Sequence, residues 1–193
     1  MKVAKHQVNY VLLNSIKPLT LVALSVLPIM GADISPSARQ IFDRQLSSTE
    51  REVMELVETM PAEKFSFAPR EGAFKNVRTF GVQARHMGFC LNEVAIALLG
   101  EPMLPHTDQE GPKNLTGKDE IVKYLKDAFA HAHRAIGTLT NDNLLEQIAD
   151  PYSGKLRTTR VDAAGIFFWH TYDHYGQMVE YLRMNNLAPP GHQ

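Results

Sequence analysis

From Phe42 to Met60 the apolar positions return every three or four residues (Phe42, Leu46, Val53, Leu56, Val57, Met60), until Pro61 stops them. That spacing is one face of an α-helix. Ser35-Pro36 can open it, with Ser as the cap and Pro at the first helical position. Residues 61–75 carry Pro61, Pro69 and Gly72 and read as a crossing loop. Asn76 is placed to cap a second helix whose inward positions include Val77, Phe80, Val82, Phe89, Ala97 and Leu98, ending at Gly100 and Pro102. Thr116-Gly-Lys-Asp119 resembles a capping box, and Ile121, Leu125, Phe129, Ala132 and Leu139 follow on one side of a third helix. Asp150-Pro-Tyr-Ser-Gly154 reads as a turn. Thr159-Arg-Val-Asp162 starts a fourth helix, which Pro189-Pro190 ends after about Leu187. No stretch alternates with a period of two. The pattern predicts an all-α chain, an antiparallel four-helix bundle with longer loops after helices one, two and three. Internal repeats are absent.

The first 32 residues stand outside this pattern. They carry Lys2, Lys5 and Lys17 without an acid, then an apolar run from Leu19 to Met30, then Gly31-Ala32. A basic start, a short hydrophobic middle and small residues at the cut are the order of a secretory signal. The expected division is a signal peptide over 1–32 and a helical-bundle domain over 33–193, exported to the periplasm or the extracellular space. The alternative is an uncleaved anchor, but Pro18 and Pro28 interrupt a run already short for a span of about 20 residues. No stable membrane span is expected after cleavage.

Composition narrows the function. At 193 residues, with 44% hydrophobic and 21% charged residues, the chain can bury one full core. Losing 1–32 removes three of its 20 basic residues and none of its 21 acidic ones, leaving a net charge of −4. No basic patch interleaved with aromatics appears, so nucleic acid is not an expected partner. Cys90 is the only cysteine, which excludes a disulfide within the chain, and none lies near the cut to carry a lipid.

The chemistry concentrates in Trp169-His-Thr-Tyr-Asp-His-Tyr-Gly-Gln177. Four residues along a helix is one turn plus about forty degrees, with about 6 Å of rise. His170 and His174 therefore leave the same face, close enough to share one ion. A bundle builds metal sites from facing helices, so a third ligand is expected from another helix. His86, in the middle of the second helix with Val82, Phe89 and Cys90 around it, qualifies. The alternative for each is a core histidine satisfied by hydrogen bonds. Three such histidines without a metal would have to satisfy six ring nitrogens internally.

A mid-helix His86 followed by His170-x-x-x-His174-x-Gly176-Gln177 and Tyr181-Leu182-Arg183 resembles the DinB-like (DNA-damage-inducible) metal-binding superfamily. Phe65-Ser-Phe-Ala-Pro-Arg-Glu-Gly72 and Val77-Arg-Thr-Phe80 are similar to that family's connecting loop. The likeness covers about residues 35–188. It implies a four-helix bundle with a three-His site for a divalent metal ion, often zinc or nickel, and frequently a homodimer. Members include thiol-dependent transferases and isomerases. The chain departs from the pattern at Asp173, where many relatives carry a second His, and at Tyr175, where Arg is common.

Three neutral histidines leave a divalent ion with open positions, unlike a closed four-ligand structural site. Such an ion can activate water or bind a thiolate or carbonyl substrate, and its undiminished charge favours an anionic ligand. Residues in reach of the ligands are Gln177, which can bond a ligand or brace the bundle; Glu93, which can support the site or form a rim salt bridge; and Cys90, a possible fourth ligand or a small buried hydrophobe. Asp173 is expected to be solvated, His131 and His133 to point to different sides, and Tyr172 and Tyr175 to flank the pocket or pack on a neighbour. No catalytic residue is identified. The expected function is an exported metal-dependent hydrolase or transferase acting on a small molecule of unspecified identity; the alternative is a non-catalytic metal-binding or structural bundle of the cell envelope. Export, away from cytosolic thiols, favours hydrolysis.

Overall fold

The computed structural model describes residues 35–103 and 109–191. The expected signal segment, 1–32, lies outside them, as do His6, His106 and His192. Four helices account for most of the described chain: α1 (Ala38–Thr59), α2 (Phe80–Leu99), α3 (Lys118–Ile136) and α4 (Arg160–Met184). A single 3₁₀ turn at Ala62–Lys64 follows α1. Among the described residues no helix is long and apolar enough to cross a membrane.

Each helix begins where a side chain can take the free backbone donors of the first turn. Ser37, two residues beyond the expected Ser35, caps α1, and Gln40 returns the bond to the Ser37 amide at 2.9 Å. Thr79, not Asn76, caps α2 by accepting from the Val82 amide at 3.3 Å. Asn76 instead takes a left-handed conformation, φ 65°, in the approach loop. At α3 the cap position is Gly117, and the Glu120 carboxylate accepts from its amide at 3.1 Å. Thr159 caps α4 as expected.

Helix directions follow from the contacts. The Lys118 ammonium at the start of α3 donates to the carbonyls of Glu58 and Met60 at the end of α1, while His133 near the end of α3 meets Asp43 near the start of α1. α1 and α3 are therefore antiparallel. So are α2 and α4, because Gln83 lies beside Gln177 and the Arg160 guanidinium reaches the Leu98 carbonyl. α2 runs in the same direction as α3: Gly81 faces Ile121, Gly88 faces Tyr124, and Asn92 meets His131. A parallel neighbour needs a long connection, and 18 residues separate Leu99 at the end of α2 from Lys118 at the start of α3.

The core gathers the inward faces of all four helices. α2 is buried almost all round, packed on both α3 and α4. Such a helix is apolar on every side. Its polar exceptions, Gln83, Arg85, His86 and Glu93, are therefore conspicuous.

One element departs from the all-helical pattern. β1 (Gln147–Ala149) and β2 (Arg157–Thr159) form an antiparallel hairpin, Gln147 opposite Thr159 and Ala149 opposite Arg157. The expected turn at 150–154 is its tip. The Asp150 carboxylate accepts from the Tyr152 amide at 3.1 Å and the Ser153 amide at 2.8 Å, an Asx turn, and Gly154 adopts φ 64°.

Candidate metal centre

Gln83, His86, Cys90 and Glu93 follow one another at three, four and three residues, so they share a stripe of α2. His170, Asp173, His174 and Gln177, the last three at offsets of three, four and seven from the first, share a stripe on the facing stretch of α4. Where the stripes meet, ligand atoms of His86, His170 and His174 all lie within 4.8 Å of one another. Nε2 of His86 and Nε2 of His170 are 3.2 Å apart. Two nitrogens held at about 2.0–2.1 Å from one tetrahedral zinc ion stand about 3.3–3.4 Å apart, so this spacing fits a shared ion. Three imidazoles suit zinc, copper, iron or nickel. The group of three could hold a divalent metal ion.

The outer ring nitrogens of His86 and His174 are already engaged. His86 Nδ1 donates to the backbone carbonyl of Gln109, which can only accept. Its Nε2 is then a lone pair facing inward. Around His174 the chain of bonds is longer. The Asp173 carboxylate accepts from Gln177 Nε2 at 3.1 Å, which turns Gln177 Oε1 towards Gln83 Nε2, also at 3.1 Å. Gln83 Oε1 is thereby left to accept from His174 Nδ1 at 2.7 Å. A carboxylate cannot donate, so its presence at the end sets the sense of every bond in the relay and leaves the lone pair of His174 on Nε2. Of the six ring nitrogens, the outer positions of His86 and His174 are satisfied by protein oxygens and the inner ones converge.

Burial keeps the imidazoles neutral. It pushes His174 down to about 3, with His86, His170 and Arg78 adding to the effect. It pushes His86 down to about 4, against the bond to Gln109, which favours the proton. His170 is lowered too, mainly by burial and against the pull of Asp173. Neutral imidazole is the form that binds metal.

The three rings form part of the wall of a cavity of about 300 Å³. By volume it has room for about ten waters. Glu93 and Cys90 line it from α2, Trp169 from α4, Arg78 from the loop before α2, and Tyr152 from the hairpin tip. Glu93 is buried, 2% exposed, and so is not at the rim. Cys90 Sγ lies 3.7 and 3.8 Å from the two nitrogens of His86 but outside the group of three. Burial, with the Glu93 charge, pushes its thiol up to about 12, so it stays protonated.

Other sequence candidates fall elsewhere. Asp173 is exposed, as expected, yet anchors the relay. Tyr172 bonds the Glu52 carboxylate at 3.2 Å on the α1 side, and Tyr175 packs against its ring, so neither lines the histidine cavity. His131 and His133 do point apart, but each joins two helices: His131 Nδ1 to Asn92 at 2.8 Å, His133 to Asp43 at 2.7 Å and Glu50 at 3.2 Å. Gln83, Arg78 and Tyr152 were not singled out by the sequence. Only Gln83 carried a signal, as an amide in register with His86 on a mostly apolar helix.

The model of the DinB superfamily matches residues 45–178. This chain belongs to the DinB superfamily. The fold is similar to the crystal structure of a DinB-like protein from Bacillus cereus ATCC 10987, with a TM-score of 0.61 and 16% identity over 78% of this chain and 94% of that one. At that identity the likeness speaks for the fold alone. No match was found among curated proteins.

Proposed function

We propose that this DinB-superfamily chain is an exported metal-dependent hydrolase of small molecules, with His86, His170 and His174 as the ligands. The observation that carries the reading is the cavity beside the three imidazoles, which a buried carboxylate, Glu93, also lines. Three neutral donors fit zinc or nickel and leave room for a substrate, as a closed four-ligand site does not. A bound divalent ion supplies Lewis-acid activation of water or of a substrate oxygen. Glu93 takes the proton of the attacking water, a role that needs a carboxylate inside the cavity rather than on its rim. The amides behind His174 and the Gln109 carbonyl behind His86 hold the rings in register. Tyr152 and Arg78 face the cavity from opposite loops and orient what enters. Export rests on the basic-apolar-small order of residues 1–32.

The test is metal content by mass spectrometry after exposure to zinc or nickel, with His174→Ala alongside, followed by hydrolysis of a panel of small esters, amides and phosphate esters. About one equivalent of metal, lost in His174→Ala, and a hydrolysis rate that falls by about 10²–10⁴ in Glu93→Gln are expected. No metal in the wild type would end the reading. Metal without hydrolysis of any panel member would leave a non-catalytic metal-binding bundle.

A further inference from the structure

Two hydrogen-bond donors at the cavity stand out after the relay and the Gln109 bond are accounted for. Arg78 Nε and the Tyr152 hydroxyl are both buried and have no hydrogen-bond partner among the described residues. Buried donors are nearly always paired, so two that line the same cavity need a reason. Both are donors. Guanidinium carries no acceptor, and burial raises the Tyr152 phenol so that it keeps its proton.

Their backbones are fixed. The Arg78 carbonyl accepts from the Tyr181 hydroxyl at 3.1 Å, one residue before the cap of α2. Tyr152 is held by the Asx turn at Asp150, and its ring centroid is 6.3 Å from that of His170. The cavity thus has donors on two walls and imidazoles on a third. Neutral imidazoles would leave the charge of a divalent ion intact, and Arg78 adds another positive charge against the single carboxylate of Glu93.

Building on the proposed function, we infer that the cavity selects small molecules bearing an oxyanion, a carboxylate or a phosphate, whose oxygens accept from Arg78 Nε and the Tyr152 hydroxyl. Planar guanidinium suits such groups better than ammonium does, because its N–H donors are fixed in direction.

Trp169 is the only tryptophan in the chain and lines this cavity, so its emission reports occupancy. The probes are inorganic phosphate, acetate and acetamide, the last being the uncharged counterpart of acetate, titrated into the metal-free and the zinc-loaded protein. Saturable changes are expected with phosphate and acetate and none with acetamide. Arg78→Leu should weaken phosphate binding by about ten- to a hundredfold, and Tyr152→Phe by about tenfold. Arg78→Lys should fall between wild type and Arg78→Leu. Melting curves and metal content of these variants should match wild type, since neither side chain is a ligand or a core residue. Equal responses to acetate and acetamide, no response to either anion, or undiminished phosphate affinity in both Arg78→Leu and Tyr152→Phe would overturn the inference. Anion binding by a protein that takes up no metal would support it while removing the proposed hydrolase.

Discussion

Gln83 Oε1 lies 2.7 Å from Nδ1 of His174, and the partner behind it is an amide whose own direction is set by the exposed carboxylate of Asp173. The orientation of His174 is thus decided at the protein surface, two side chains away. Gln83→Leu removes the acceptor and should lower zinc affinity by about 10–100-fold. Gln83→Glu keeps an acceptor at Nδ1 and should bind zinc more tightly than Gln83→Leu. Nitrogen correlation spectra of the metal-free protein should place the His174 proton on Nδ1. A proton on Nε2, or equal zinc affinity in wild type and Gln83→Leu, would contradict the relay.

Arg85 performs the corresponding service for His86 from the other side of α2. Its Nε donates to the Glu110 carbonyl at 2.7 Å and its terminal nitrogen to the Leu115 carbonyl at 3.0 Å, clamping the loop whose Gln109 carbonyl accepts from His86 Nδ1. Gly111, with φ 73°, fits against the Arg85 backbone, where an added Cβ would lie 3.0 Å from the carbonyl oxygen. Arg85→Met strips both carbonyls of a donor and should cost about 1–3 kcal/mol, read by chemical denaturation. Zinc affinity should fall with it. An unchanged denaturation midpoint would show that the loop is held by other contacts.

The depressed histidines give the metal-free protein a defined acid sensitivity. Unfolded, these rings titrate near 6.5; folded, His86 titrates at about 4 and His174 at about 3. Below 6.5 the unfolded chain takes up protons that the folded chain refuses, so stability falls as pH drops from about 6.5 towards 4. Above 6.5 both states are neutral and the contribution is constant. Melting temperatures across this range should therefore slope downward with acid, more shallowly in His174→Gln. Parallel slopes in the two proteins would refute the assignment.

At Gly88 the parallel helices α2 and α3 approach so closely that an added Cβ would lie 2.8 Å from Tyr124 Cε1. Gly88→Ala gains about 1 kcal/mol of helix propensity but forces the ring aside at about 1–3 kcal/mol. A net loss of a few degrees in melting temperature is expected. In the double variant with Tyr124→Ala, the alanine at 88 should no longer be harmful. Additive losses would place the strain elsewhere.

The helices and the three histidines were readable because both obey a helical period: apolar faces repeat at three and four residues, and His170 and His174 share one turn. Thr79 and Asn76 are both good caps in sequence, and only the left-handed backbone of Asn76 separates them. The hairpin is not legible in the sequence because its strands are three residues long and hold no buried residue, so no buried face imposes alternation. Glu93 could be placed on the right face of α2, but whether that face was rim or interior depended on α4. Arg78 and Tyr152 lie in loops far apart in the chain, and nothing local to either reveals the cavity they share.

Thr159 closes the hairpin opposite Gln147 and in the same stroke opens α4. Residues 150–156 hang beyond that joint, and Tyr152 hangs with them. Exchanging the tip leaves the start of α4 fixed, and with it the turns that carry His170 and His174. Such an arrangement lets a lineage alter what the mouth accepts while inheriting the three-histidine frame unchanged.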